Sequence, residues 1–282
     1  MTNPGTAART QREIDGGETL GRVPLNAFIG FIVGVAGGLV GLGGAELRLP
    51  YLAGTLRLPV KRAVPVNLAV SLLTLLAALP ARLLALKTAS LKPFLFETIA
   101  LAFGAALGAY AGVTGLRRLS ARTLARAVFA LLLALGLVMM AESIAPFAPL
   151  GLLPRAMVLQ IVSGLVLGAM IGAISGLLGV AGGEVIIPAL VLGFGAPMKA
   201  AGSLSQMVSI PTVLTGILRH HSARAFHDRE LLTRLIVPMG VGAVAGGIGG
   251  GFLAALAPSG FLKAMLGLIL IVSAVKAFRR QV

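Results

Sequence analysis

The chain has 282 residues, of which 57% are apolar and only 12% charged, with 38 Gly, no Trp and no Cys. A soluble domain carries about 45–50% apolar and about 25% charged residues, so this composition excludes an ordinary water-soluble protein and fits a polytopic membrane protein. The net charge of +15 does not point to nucleic acid, because Lys and Arg fall in short breaks between apolar runs, and the absence of Cys excludes disulfides, thiolate metal sites and cysteine nucleophiles.

Residues 1–23 are polar and of mixed charge. They lack the apolar stretch of about 7–15 residues that a secretory signal needs, and read as a disordered cytoplasmic tail. From Pro24 onward the chain is a succession of apolar segments, with helices predicted near 24–42, 46–56, 60–85, 93–115, 121–141, 154–180, 184–195, 199–219, 231–256 and 260–279. A membrane span needs about 20 apolar residues. The second and seventh segments are too short to cross alone, and the sequence leaves open whether they cross or turn back.

One repeat organises these segments. GLVGLGGAELRLPYL (Gly38 to Leu52) lies above GLLGVAGGEVIIPAL (Gly176 to Leu190) at an offset of 138 residues. The offset carries Gly41, Gly44, Glu46 and Pro50 onto Gly179, Gly182, Glu184 and Pro188. Without a gap it also pairs Gly30 with Gly168, Ser71 with Ser209, Thr74 with Thr212, and Gly104, Gly108 and Gly112 with Gly242, Gly246 and Gly250. A match over most of both halves predicts two transmembrane repeats, 24–144 and 162–282, joined through 145–161.

Charge bias sets their relative direction. Seventeen Lys and Arg lie in the tail, the 57–62 and 117–126 loops, the 219–234 region and the C-terminus, against six in the opposite connections. The positive-inside rule then places both termini in the cytoplasm. The basic 117–126 loop and its poorly charged mate 255–264 fall on opposite sides, so the halves are expected to be inverted. Inverted repeats hold substrate near the bilayer midplane, at Gly- and Pro-broken helices in matching positions.

The breaks Gly41, Gly43, Gly44 and Gly179, Gly182, Gly183 are the candidates for such a site, since irregular backbone at membrane depth survives only against protein or a watery cavity. Gly30, Gly34 and Gly38, four residues apart, read instead as close helix packing. After each break the free N–H groups of a new helix favour an anion. Glu46 and Glu184 either cap those helices or couple transport to protons, because intramembrane carboxylates are costly and usually functional. Asn67, Ser71 and Thr74, with Ser205, Ser209 and Thr212 as mates, form a polar stripe on the third helix of each half; the alternatives are substrate contact and interhelical hydrogen bonding. Gln206 and Ser203 lie off that stripe. Arg48 has no mate, position 186 being Ile, and pairs either with a carboxylate (Glu46, Glu97 or Glu184) or with an anionic substrate. His220, His221 and His227 fall in a basic loop that reads as solvated, and no metal site is expected. No HExxH, GxSxG or Walker motif occurs, which argues against a hydrolase or an ATP-driven pump.

The doubled pattern GLVGLGGAELRLP and GLLGVAGGEVIIP, each followed by a Pro-basic turn and a Ser/Thr-rich helix, resembles the TauE/SafE sulfite exporter family, also called the toluene-sulfonate uptake permease family. The family's glycine motif, GxGGGxxxxP, falls on Gly41, Gly43, Gly44 and Pro50 and on Gly179, Gly182, Gly183 and Pro188. Ala45 and Ala181 depart from it, and Glu follows in both copies. The resemblance implies an ion-coupled secondary transporter or exporter of sulfite, sulfonate, sulfoacetate or a similar small anion, in the bacterial cytoplasmic membrane, with no enzymatic activity and no cofactor. The expected binding residues are Gly43, Gly44, Glu46, Arg48, Asn67, Ser71, Thr74, Gly182, Gly183, Glu184, Ser205, Ser209 and Thr212. The expected partners are the substrate anion and the lipid bilayer, with homo-oligomerisation left open. A passive anion channel and a non-transporting membrane assembly factor are the alternatives.

Overall fold

The computed structural model describes residues 22–86, 90–116, 121–145, 151–153, 156–178, 181–220 and 229–279. Among them every regular element is helical: α1 Val23–Val40, α2 Ala45–Pro50, α3 Val60–Ala85, α4 Leu95–Leu116, α5 Ala121–Ile144, α6 Met157–Leu178, α7 Gly183–Pro188, α8 Met198–His220, α9 Val237–Leu256 and α10 Ser259–Arg279. They follow in order the ten segments expected from hydropathy; a 3-10 turn, Lys92–Phe94, precedes α4, and the ninth segment begins with a helical turn, Arg229–Leu231, and a π-helical turn, Leu232–Ile236, before α9. Among the described residues seven helices are long and apolar enough to cross a membrane. Their outward faces carry large apolar side chains such as Phe28, Phe103, Leu137, Val166 and Val241, which suits a hydrocarbon solvent. Residues 1–21 of the predicted tail, the Gly179 of the second motif and the loop histidines His221 and His227 lie outside the described residues, and Val23, the tail's expected last residue, begins α1.

The short segments are half-helices. Pro50 ends α2 and Pro188 ends α7, and each passes into a π-helical turn, Tyr51–Thr55 and Ala189–Gly193. Proline offers no N–H to the preceding turn, and the widened turn that follows is closed by Leu56 N–H to Tyr51 C=O at 3.0 Å and by Phe194 N–H to Ala189 C=O at 3.3 Å. Residues 45–55 extend about 17 Å at helical rise, roughly half of a ~30 Å hydrocarbon layer. The chain doubles back: the Tyr51 hydroxyl donates to Asn26 Oδ1 at 2.8 Å, near the start of α1.

Packing exchanges elements between the halves. α1 packs on α9 and α4 on α6, the two largest helix contacts in the molecule, and the two interfaces use glycines at matching positions. A Cβ at Gly30, Gly34 or Gly38 would meet the backbone of Met239, Ala243 or Gly247, and one at Gly168 or Gly172 would meet the backbone of Leu101 or Ala105. Along both interfaces the residue numbers rise together, so these pairs are parallel. The matched helices α5 and α10 run antiparallel instead: Gly136 lies against Gly267 and Ile271, and Lys263 Nζ bonds Glu142 Oε1 at 2.7 Å. The matched pair α3 and α8 does the same, with Arg82 at Ser203 and Leu68 at Gly216.

Arg82 is one of the six cations that the charge count assigned to the opposite connections, and it departs from that place. It lies in α3, fully buried, and its Nη1 donates to the Gly38 and Leu39 carbonyls, both at 2.8 Å. Its Nε reaches the Ser203 hydroxyl at 3.1 Å and its Nη2 the Lys199 carbonyl at 2.9 Å. The last carbonyls of a helix have no partner within it and carry the negative end of its dipole. A guanidinium satisfies both needs and ties α1 to α8.

Candidate functional site

The two glycine breaks meet at the centre of the packed halves. Gly44 and Gly182, the residues preceding α2 and α7, hold left-handed φ of 73° and 76°, a conformation that strains any residue with a Cβ. The breaks face each other. A Cβ at Gly43 would lie 3.1 Å from Ala181 Cβ, and one at Gly183 would lie 3.0 Å from Leu42 Cδ2 and 3.4 Å from Ser205 Oγ. Ala45 and Ala181 share one buried cluster with Val64 and Leu68 of α3 and Val213 of α8. The polar third helices therefore flank the junction.

Arg48, in α2, is fully buried. Its Nη1 donates to the Ser71 hydroxyl at 3.0 Å and lies 3.5 Å from the Asn67 carbonyl; its Nη2 reaches Thr74 Oγ1 at 3.3 Å and the Gly43 carbonyl at 3.5 Å. Every one of these partners is neutral. Among the described residues no carboxylate comes within ion-pair distance of Arg48, and its Nε has no partner. Glu46, Glu97 and Glu184, the pairing candidates from sequence, leave the guanidinium without a direct counter-anion. Ser71 and Thr74 in turn donate to the carbonyls of Asn67 and Val70 one turn back, at 2.7 and 2.9 Å, which leaves their oxygens aimed at Arg48 as acceptors. Asn67 Nδ2 holds the Ala45 carbonyl at 3.0 Å and fixes the start of α2 against α3.

The second half repeats the stripe without the cation. Ile186 stands where Arg48 would be and is fully buried. Thr212 donates to the Val208 carbonyl at 2.8 Å, as Thr74 does to Val70. Ser205 Oγ and Ser209 Oγ have no hydrogen-bond partner among the described residues, nor has either end of the Gln206 amide. Gln206, placed off the stripe by sequence spacing, is fully buried. A polar side chain in a chain segment of this hydropathy was the signal for it.

The carboxylates differ. Both Glu46 oxygens are buried without a partner among the described residues, so Glu46 makes no capping hydrogen bond. Glu184 Oε1 accepts from the Ser273 hydroxyl of α10 at 2.9 Å. Glu46 lies within electrostatic range of both Glu184 and Arg48. Beside Glu184 opens a cavity of about 20 Å³ lined by Ser175, Gly182, Val185, Leu132 and Ile171, room for about one water. Among the described residues no cluster of His, Asp and Glu could hold a metal ion.

The family model described as Sulfite exporter TauE/SafE matches residues 6–139 and 164–282, nearly the whole chain. The chain belongs to the TauE/SafE sulfite exporter family. Comparison with curated proteins and with solved structures gives no significant match. Membership of a transporter family, with seven apolar helices of membrane-spanning length, makes the chain a multi-pass membrane protein of a family that exports sulfite and related anions. The two matched stretches each contain one glycine break and one half-helix.

Proposed function

We propose that the protein is a secondary transporter that exports a small anion, sulfur-containing and of the sulfite, sulfonate or sulfoacetate type, coupled to protons or another ion. The observation that carries this reading is Arg48: a guanidinium enclosed at the meeting point of two broken helices, hydrogen-bonded only to neutral groups. Glu46 lies within electrostatic range of Arg48 but outside ion-pair distance, and a buried charge without a hydrogen-bonded counter-ion is unfavourable. An anion bridging Arg48 to Ser205 and Ser209 removes that cost, and the strength of the resulting charge-assisted hydrogen bonds explains recognition without a metal or cofactor. Gly43, Gly44, Gly182 and Gly183 give the anion room against backbone.

The two halves are, in this reading, inverted repeats over 24–144 and 162–282, with both termini on the cytoplasmic side of the bacterial inner membrane. Support comes from the antiparallel course of the matched helices α3 with α8 and α5 with α10, together with the basic loops. Glu46 and Glu184 are the coupling residues. Neither has a cation within ion-pair distance among the described residues, so each must exchange charge with a proton or a coupling cation as the anion moves. The partners are the substrate and lipid.

Purified protein in liposomes tests this reading. With an imposed proton gradient, labelled sulfite or a small sulfonate should accumulate beyond equilibrium. Flux that only equilibrates the anion would indicate a channel, and no flux with any member of the panel would overturn transport itself.

A further inference from the structure

The anion site just proposed, on which this inference rests, has hydrogen-bonding groups of both senses. Its open donors are Arg48 Nε, the Ser205 and Ser209 hydroxyls and Gln206 Nε2, while Gln206 Oε1 and both Glu46 oxygens are open acceptors. Gln206 is placed by its helix. Gly202, one turn earlier on α8, lies against Gly41 and the Val40 carbonyl, and Ser205 lies beside Gly183. The i, i+4 relation sets Gln206 on the Gly202 face, toward the first break.

We infer that Gln206 is a specificity-determining ligand of this site, and that the species it selects is a monoanion carrying its own hydrogen-bond donor, a hydroxyl or an acidic proton, in preference to an anion with acceptors alone. A fully deprotonated oxyanion satisfies Arg48, the two serines and one end of the amide, yet turns its lone pairs on the Gln206 carbonyl. Flipping the amide does not help, because it always presents one donor and one acceptor. A buried acceptor left without a partner is costly, whereas a substrate O–H completes the set. The same donor relieves the repulsion between an anion and the nearby Glu46 carboxylate.

Methanesulfonate and hydroxymethanesulfonate differ by one hydroxyl, and both are monoanions throughout the working pH range. Binding of each to the purified full-length protein is measured by titration. Wild type should bind hydroxymethanesulfonate about tenfold more tightly or better. Gln206→Leu removes the amide N–H from both probes and the carbonyl acceptor from the hydroxylated one, so it should weaken hydroxymethanesulfonate about tenfold more than methanesulfonate and bring the two affinities together, and Gln206→Met serves the same purpose if the leucine variant does not fold. Equal wild-type affinities, or a variant that weakens both probes alike, would overturn the inference while leaving the anion site standing. Failure of wild type to bind either probe or sulfite would overturn the anion site and the inference together.

Discussion

Arg48 donates to the Ser71 hydroxyl at 3.0 Å across the first glycine break, and the contact joins the half-helix α2 to the long helix α3. Both residues are fully buried, so the cation is anchored by a neutral acceptor, with the Glu46 carboxylate in electrostatic range but outside ion-pair distance. Ser71 is itself anchored to the Asn67 carbonyl at 2.7 Å. Ser71→Ala is therefore expected to leave the fold intact and weaken anion binding about three- to tenfold, in line with loss of one charge-assisted hydrogen bond. Ser209→Ala, which removes a hydroxyl with no protein partner, should weaken binding without lowering the unfolding temperature. A titration on both variants, with thermal unfolding as control, checks this.

The carboxylates separate coupling from capping. Glu46 makes no hydrogen bond through its side chain, so the capping role reduces to its charge near the start of α2, worth about 0.3–1 kcal/mol. Gln keeps the size and cannot ionise. Glu46→Gln and Glu184→Gln are expected to fold normally and to lose the pH dependence of flux, the Glu184 variant keeping its bond from Ser273. Proteoliposome uptake over a pH series measures this; pH dependence intact in both single variants and in the double variant would assign them to structure.

Arg82 binds three carbonyls and one hydroxyl from α1 and α8. Arg82→Met leaves the Gly38 and Leu39 carbonyls at the end of α1 buried and unpaired, at about 1–3 kcal/mol each before relaxation. The expected outcome is a loss of at least about 2 kcal/mol in unfolding free energy, read as a large drop in melting temperature in detergent.

The glycine interfaces make a paired prediction. Gly34→Val and Gly172→Val, at matching positions on α1 and α6, would each drive a side chain into the backbone of a parallel neighbour, Ala243 or Ala105. Both should lose about 2 kcal/mol or more. Gly54→Ala, in the first π-helical turn with nothing near its Cβ position, should lose little. Expression and melting temperature of the three variants decide.

Much of this architecture was legible in the sequence because each level of it rests on local chemistry. Long apolar runs gave the helices, and the offset of 138 residues foreshadowed matched backbone features such as the left-handed Gly44 and Gly182. The breaks, Arg48 and the hydroxyl stripe were visible as polar or flexible residues where hydrocarbon tolerates neither. What escaped depends on partners distant in the chain. Arg82 looked like a loop charge, although the rule that singled out Arg48 applied to it equally, and its acceptors on α1 and α8 become apparent only in the fold. The Lys263–Glu142 pair joins residues 121 apart. The π-helical turns depend on the sixth residue's N–H finding its carbonyl after a proline, which no periodicity signals.

Topology has a direct test in a chain that contains no Cys. Pro59 and Pro197, which precede α3 and α8 at matched positions, are both exposed. Single variants Pro59→Cys and Pro197→Cys are expected to react with a membrane-impermeant thiol reagent from opposite sides, Pro59→Cys from the cytoplasm. Labelling from the same side would rule out inversion.

Binding of an anion at Arg48 is measured by titrating sulfite into wild type, Arg48→Gln and Arg48→Lys. Wild type should saturate, Arg48→Gln should lose at least about tenfold in affinity, and Arg48→Lys should fall between, since an ammonium restores the charge but not the guanidinium's fork of donors. Affinity unchanged in a folded Arg48→Gln variant would mean that the anion does not bind at Arg48.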